Sequence, residues 1–361
     1  MMKATVKILV CLLSLCLCLG SFASCGSNGP KTPEDTTETP TTEKRAYRTD
    51  PPKQEEKTID IYLIAGQSNA AGSSYISDTA AAYAFAPELE NGFSNILFTG
   101  KASDTTYLGW DNVKLGQGTY QNESFGPEAG MAKALSVFYN EETGKTAGFI
   151  KVAFGGNSLL SDHEISQKYG TWGSPSFAKA KGHSYGDDDL VGKAYRTLLS
   201  TVKLQLSVLE YKGYTDFRIK GLYWMQGEND RKYPEEYQEA FGYLVQDLRR
   251  DLSALVKEIT GDDDRGASDL PIWVGTISRT FESAFNSDQK INAAFIEMQK
   301  GLADAQNKIF VVDNSTYDIN YLDDKMYSRM IDRDQWHWNQ PSQLAIGENV
   351  GNAMAAYFNL S

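Results

Sequence analysis

Ile61-Tyr62-Leu63-Ile64-Ala65-Gly66-Gln67-Ser68-Asn69-Ala70 carries an apolar, β-prone run that stops at a glycine, with a serine two residues beyond it. Consecutive apolar residues with β-branched and aromatic members, closed by Gly, fit a strand buried on both faces, as in a parallel sheet. A serine just past such a strand, where a helix begins, stands at the carboxyl edge of the sheet. Open α/β sheets bind their ligands there. Its backbone N–H points the same way, near the positive end of the following helix. A Gly-Gln-Ser-Asn turn with a helix N-cap accounts for the same residues without any chemistry. The stretch alone leaves both readings open.

Working outward, residues 147–154 read as a second buried strand that stops at Gly155-Gly156-Asn157-Ser158. Residues 219–225 read as a third, ending in Gln226-Gly227-Glu228-Asn229-Asp230. Residues 95–98, 271–277 and 309–312 are further strand candidates, and residues 110–120, rich in Gly, Gln and aromatics, read as a surface loop. Helical stripes lie between them: Met131, Ala134, Leu135 and Phe138 after a Pro127 suited to a first helical position; Leu190, Ala194, Leu198, Val202 and Leu206; and Tyr237, Phe241, Leu244, Leu248, Leu252 and Leu255. A helix around residues 292–303 and a closing one over 341–357 complete the pattern. Strands alternating with amphipathic helices predict one α/β domain, a central parallel sheet with helices on both faces and right-handed crossovers.

At 361 residues and 41% hydrophobic, the chain can bury a large core. Its net charge of −12 argues against nucleic acid and anionic membrane surfaces as partners, since both need a surplus of Lys and Arg. All four cysteines, Cys11, Cys16, Cys18 and Cys25, fall in the first twenty-five residues, so the body has neither a disulfide nor a thiolate metal site. Residues 1–24 read as a secretory signal, with Lys3 and Lys7 before an apolar run and small residues after it. The ending Phe22-Ala23-Ser24-Cys25 resembles a bacterial lipobox, although Phe22 stands where Leu is usual. On that reading Cys25 carries the lipid anchor and is the chain's single membrane attachment; plain cleavage is the alternative. Residues 25–57, rich in Pro, Thr, Glu and Lys, cannot bury enough surface to fold and read as a tether. The folded domain then spans 58–361.

A serine is unreactive until a base takes its proton, and histidine is the usual base. The chain has three, His163, His183 and His337. His337 stands out because Asp334 lies three residues before it, where one turn can set the carboxylate against the imidazole. Surface or capping roles for His337 and Asp334 would have to coincide with a serine at one strand end and glycine-rich turns at two others.

The blocks Gly66-Gln67-Ser68-Asn69, Gly155-Gly156-Asn157-Ser158, Gln226-Gly227-Glu228-Asn229-Asp230 and Asp334-x-x-His337 resemble, in order, the four blocks of SGNH hydrolases. More narrowly, they are similar to the branch of sialate O-acetylesterases and carbohydrate acetylesterases, as are Phe125-Gly126-Pro127-Glu128 and residues 343–348. The resemblance covers about residue 59 to the C-terminus. It implies a flavodoxin-like three-layer α/β/α fold and a metal-free hydrolase with Ser68 as nucleophile, His337 as base and Asp334 as acid. It also implies an oxyanion hole from the Ser68 N–H, a glycine N–H of the second block (Gly156 before Gly155) and a side-chain amide of the third. That amide is Gln226 if the acetylesterase spelling Gln-Gly-Glu is followed, the reading favoured here. It is Asn229 if the broader Gly-x-Asn-Asp spelling applies. Asn157 replaces the branch's usual Thr, and Trp338 stands where Pro is common, both changes that alter a pocket without removing a catalytic atom.

Trp110, Tyr169, Trp172 and Trp338 are candidates for stacking on sugar rings, Trp172 and Trp338 foremost. His163 and His183 lack metal-like spacing, and the runs Asp187-Asp188-Asp189 and Asp262-Asp263-Asp264 lack a calcium loop's alternate ligands. The expectation is an exported serine esterase that removes O-acetyl groups from sialic acid or an acetylated polysaccharide and needs no cofactor. An esterase on another small ester or lipid and a non-catalytic surface glycan-binding lipoprotein are the rivals.

Overall fold

The computed structural model describes residues 57–160, 166, 168–261, 263–279, 289–317 and 337–360. The expected strand around residue 61 is β1 (Thr58–Gly66), and the short helix α1 (Ser68–Ala71) follows it after one residue. A two-residue strand β2 (Ser74–Tyr75) and helices α2 (Thr79–Phe85) and α3 (Glu88–Asn91) lead to the hairpin β3 (Ile96–Ala102) and β4 (Thr105–Asn112). Then come β5 (Ser124–Phe125), α4 (Glu128–Ser136), β6 (Thr146–Ala153), α5 (Pro175–Ala180) and α6 (Lys193–Ser207). The chain closes with β7 (Asp216–Met225), α7 (Pro234–Thr260), β8 (Ile272–Gly275), α8 (Gln289–Lys300), β9 (Ile309–Val312) and α9 (Gln340–Tyr357).

Seven strands form one sheet in the order β4-β3-β6-β1-β7-β8-β9. β3, β6, β1, β7, β8 and β9 are parallel and β4 is antiparallel to β3. β1 sits between β6 and β7, with Ile61 level with Gly148 on one side and Ile219 on the other. The chain leaves β1 for β3, returns by β6, then crosses to β7 and winds outward in the opposite direction. That reversal opens a crevice at the carboxyl ends of β6, β1 and β7, the place where such sheets bind ligands.

Alternation along β1 explains its unbroken apolar spelling. Ile59, Ile61, Leu63 and Ala65 enter the core shared with α6, α7 and α8, while Tyr62 and Ile64 enter the core shared with α4 and α9. Both faces are covered, so the three-layer α/β/α architecture follows from the pattern. The predicted stripe on α7 is buried at Tyr237, Phe241, Leu244, Leu248 and Leu252.

Two features depart from the sequence reading. The stretch read as a loop from residue 110 belongs in part to β4, whose residues alternate between half-buried and exposed as befits an edge strand with one wet face. Its Trp110 is buried and donates its indole N–H to the Gln205 carbonyl (3.2 Å), so it offers no sugar-stacking face. β6 also buries a charge. Lys151 and Glu128 are both fully buried and meet at 3.0 Å, Lys151 also donating to the Gln117 carbonyl (2.7 Å) while Glu128 accepts from the Gly126 N–H (2.8 Å). Burial pushes the Lys151 ammonium down from its usual range against the pull of Glu128. The pair ties the start of α4 and the 116–118 turn to the sheet.

α9 follows His337 after two residues and lies backbone-to-backbone on α4. A Cβ on Gly130 would stand 2.0 Å from the Leu344 carbonyl oxygen, and one on Gly347 2.1 Å from that of Pro127. Only glycine permits the approach. The N-cap Asn339 accepts from the Ser342 N–H (3.0 Å), fixing the start of the helix beside His337.

Candidate active site

Ser68 reaches the crevice because β1 ends in a backbone crossing that only glycine tolerates. Gly66 has φ +145°, and a Cβ there would fall 2.0 Å from the Met225 carbonyl oxygen. The next residue, Gln67, donates its N–H to that same carbonyl (3.0 Å), and Ser68 opens α1 one step later. The turn is strapped from outside by the Thr119 N–H on the Gly72 carbonyl (2.9 Å) and by a Ser73–Thr119 hydroxyl contact (3.2 Å).

A cleft of about 530 Å³ opens here, lined by Ser68 and His337 together with Gly155, Gly156, Glu228 and Asn229. Its outer part is lined by Ser103 and Asp104 at the tip of the β3–β4 hairpin, by Thr119 and Tyr120, and by Lys168 and Tyr169. Tyr120 stacks on Tyr75 (5.4 Å between ring centres) and Tyr169 on Phe154 (5.0 Å). Lys168 and Asp104 form an exposed ion pair at 2.5 Å, whose hydrogen bond holds the Asp104 carboxyl below the usual carboxylate range.

The glycines of the second block are distinguished by their bonds. Gly155 donates its N–H to the Ser103 hydroxyl (2.9 Å). The N–H groups of Gly156 and Ser68 have no acceptor among the described residues. Two unspent N–H donors beside a serine hydroxyl and an imidazole are the parts an acyl-transfer site needs for nucleophile, base and oxyanion.

The two amides of the third block have opposite fates. Gln226 is buried behind the cleft, and its Nε2 faces Gln67 Oε1 (3.2 Å), the Asn157 carbonyl (3.1 Å) and Asp230 Oδ2 (2.6 Å). With three acceptors for two N–H groups, it has no donor left for a substrate. Asn229 lines the cleft and gives one amide N–H to the Gly156 carbonyl, leaving the other for the cavity. This corrects the preference for Gln226: the strand end fixes its backbone, but its side chain is consumed in bracing the loops that carry Ser68 and Gly156. Asp230 completes that brace, fully buried and accepting from Ser158 Oγ and from the Leu159 N–H (2.8 Å).

Trp172 and Trp338 are also corrected. Both rings are fully buried. Trp172 donates to the Gly66 carbonyl (3.2 Å) and meets Trp224 edge-on (5.1 Å), while Trp338 fills the core under α9. Neither has a face to stack on a sugar. Among the described residues the aromatic side chains that line the cleft are Tyr120 and Tyr169, of which the sequence marks only Tyr169.

His183 is half-buried and does not line the cleft. Asp263 and Asp264 spend carboxylate oxygens on the N–H groups of Arg265 (2.8 Å) and Gly266 (3.0 Å), as turn residues do. Among the described residues no three His, Cys, Asp or Glu side chains gather as a metal site, and no helix is long and apolar enough to cross a membrane. Asp334, His163 and Cys25 lie outside the described residues. Glu228 and Asn69, to which the sequence gives no role, join at 2.6 Å beside Ser68. The one signal for them was their place inside quoted strand-end blocks.

Comparison with known proteins agrees with this architecture. The profile of the family described as "Carbohydrate esterase, sialic acid-specific acetylesterase" matches residues 58–356. No curated protein sequence matches the chain. Among solved structures, NanS superposes with a TM-score of 0.52 at 15% identity, over 84% of this chain and 98% of that one. A protein from Arabidopsis thaliana gives 0.46 at 16% identity, over 83% and 98%. Est24, a carbohydrate acetylesterase from Sinorhizobium meliloti, gives 0.40 at 14%, over 83% and 99%. The likeness to NanS is one of fold, and the profile, running from the first strand into the last helix, carries the family. The chain belongs to the carbohydrate esterase, sialic acid-specific acetylesterase family and is a carbohydrate O-acetylesterase.

Proposed function

We propose that this esterase removes O-acetyl groups from sialic acid or an acetylated polysaccharide, outside the cytoplasm, by a Ser68–His337–Asp334 mechanism. The observation that carries the reading is the convergence of Ser68, His337, Gly156 and Asn229 on one cleft. Ser68 Oγ attacks the acetyl carbonyl carbon while His337 takes the hydroxyl proton, and Asp334, assigned from its spacing to His337, holds the imidazolium. The carbonyl oxygen becomes an oxyanion that accepts from the N–H groups of Ser68 and Gly156 and from the Asn229 amide. Collapse breaks the ester bond, and His337 gives its proton to the departing sugar oxygen. Water, deprotonated by His337, then attacks the acetyl-serine, and acetate leaves as Ser68 regains its proton.

A cavity of about 530 Å³ suits a ligand of sugar size, and Tyr120 and Tyr169 offer ring faces beside polar Ser103, Asp104, Thr119 and Lys168. Export rests on the signal-like residues 1–24 and anchoring on Cys25. The test is acetate release from O-acetylated sialic acid and from acetylated xylan, pectin and peptidoglycan, with Ser68→Ala run alongside. Release from at least one of them, lost in the variant, supports the reading. Release from none, with p-nitrophenyl acetate still cleaved, would oppose a carbohydrate substrate of these classes.

A further inference from the structure

The best-protected carboxylate of the cleft belongs to Glu228. It is 5% exposed, yet it lines the same cavity as Ser68 and His337. One oxygen, Oε1, accepts from Asn69 Nδ2 at 2.6 Å, and the other, Oε2, has no hydrogen-bond partner among the described residues. Asn69 immediately follows the nucleophile. Its own Oδ1 accepts from the Trp338 N–H (3.3 Å), next to His337, and its carbonyl accepts from Gln343 Nε2 in α9 (2.7 Å). Asn69 is therefore the joint between the turn that carries Ser68, the loop that carries Glu228 and Asn229, and the segment that carries His337.

We propose that Glu228 is a positioning residue of the reaction: it locks Asn69 as that joint, and its charge, held in a water-poor site, favours the imidazolium that His337 forms when it takes the Ser68 proton. A carboxylate kept from water acts on a neighbouring cation with little screening, so its effect exceeds that of an exposed pair. His337 and Arg231 draw Glu228 toward ionisation, and the phenols of Tyr223 and Tyr237 lie within its field. Arg231 donates to the Glu228 carbonyl (2.8 Å), and Asp334 lies outside the described residues. Burial pushes the Glu228 carboxyl up from its usual range, and the Asn69 amide is the foremost group pulling it back.

This inference rests on the serine-esterase reading above, and the experiment separates the two. Glu228→Gln keeps an oxygen for Asn69 and removes the charge. The pH profiles of kcat and kcat/KM are measured for wild type, Glu228→Gln and Asn69→Ala on p-nitrophenyl acetate and an acetylated sugar, with Ser68→Ala as control. The expected result for Glu228→Gln is kcat lower by roughly tenfold or more with KM little changed, and an acid limb moved to lower pH by about half a unit or more. Asn69→Ala lowers kcat, because the joint between the Ser68 turn, the Glu228 loop and the His337 segment is lost. An unmoved limb in folded Glu228→Gln overturns the proposal, whatever the rate. If that variant does not fold, Glu228→Asp serves: it keeps a carboxylate but shortens the reach to Asn69, so kcat falls. A wild-type kcat in Glu228→Asp overturns the proposal. An active Ser68→Ala would instead refute the underlying reading.

Discussion

The two amides of the third block give a sharp prediction, because the fold assigns them different work. Asn229→Ala removes a donor that lines the cleft, and loss of one oxyanion donor costs about a hundred- to a thousand-fold in kcat, or about 2.7–4 kcal/mol. The fold loses only a part-buried bond to the Gly156 carbonyl, about 1 kcal/mol. Gln226→Ala instead strips its N–H groups from Gln67 Oε1, the Asn157 carbonyl and the buried Asp230 carboxylate. Leaving such acceptors dry costs on the order of 3 kcal/mol, more if Asp230 remains charged. In a domain this large that lowers the melting temperature by roughly 5 °C. Since Gln67 and Asn157 adjoin Ser68 and Gly156, the rate also falls, but together with stability. The assay is steady-state hydrolysis of p-nitrophenyl acetate beside a thermal melt monitored by circular dichroism. Asn229→Ala should lose kcat, with KM within a few-fold and its melt within about 2 °C of wild type. A Gln226→Ala variant with a wild-type melt and a large loss of kcat, beside an Asn229→Ala variant within about tenfold of wild type, would refute the assignment.

Lys151→Met leaves Glu128 charged and unpaired in the core, so unfolding free energy in urea should drop by about 3–5 kcal/mol; a loss under about 1 kcal/mol would mean that Glu128 is not charged there. Burial raises the Glu228 carboxyl, so its contribution to stability is fully present below the ordinary carboxylate pKa of about 4.3 and is lost as pH rises through its folded value. Glu228→Gln should therefore gain stability relative to wild type as pH rises above about 4.3, a gap that melts from acid to neutral pH would reveal and that a constant or shrinking difference would contradict. If Cys25 carries the lipid, Cys25→Ser should move the enzyme from membranes to the soluble fraction of cells that make it, whereas continued sedimentation with membranes would refute anchoring at that residue.

Much of the fold is legible because burial on both faces writes itself into β1, β6 and β7 as mostly apolar runs, closed by Gly66, by Gly155-Gly156 and by Gln226-Gly227. The strand ends then name the loops, and the loops hold the site. What escaped follows from the same physics. β4 is an edge strand, and its exposed Thr106, Leu108, Gly109 and Asp111 break the apolar run that marks the buried strands. Lys151 looks like an interruption of β6 because its partner Glu128 lies more than twenty residues away in sequence. Trp172 and Trp338 stand among polar loop residues, yet their loops fold inward and bury them; sequence order does not say which side of a loop faces the core. Gln226 and Asn229 are both amides at a strand end, and only the position of Asp230, Gln67 and Asn157 decides which one turns toward the cleft. Glu228 had no signal of its own, since a carboxylate in a loop is ordinarily solvated and this one is covered by residues from distant parts of the chain.

The central claim is that Ser68 is acylated during turnover. Rapid acid quenching of the enzyme with an acetylated substrate, followed by proteolysis and mass spectrometry, reads it directly. An acetyl adduct is expected on the peptide containing Ser68, formed faster than acetate is released in steady state or at the same rate. In Ser68→Ala, with an unchanged circular dichroism spectrum, loss of the adduct and a fall in kcat of roughly three orders of magnitude or more are expected. An adduct on another residue, or Ser68→Ala activity within about tenfold of wild type, would contradict the central claim.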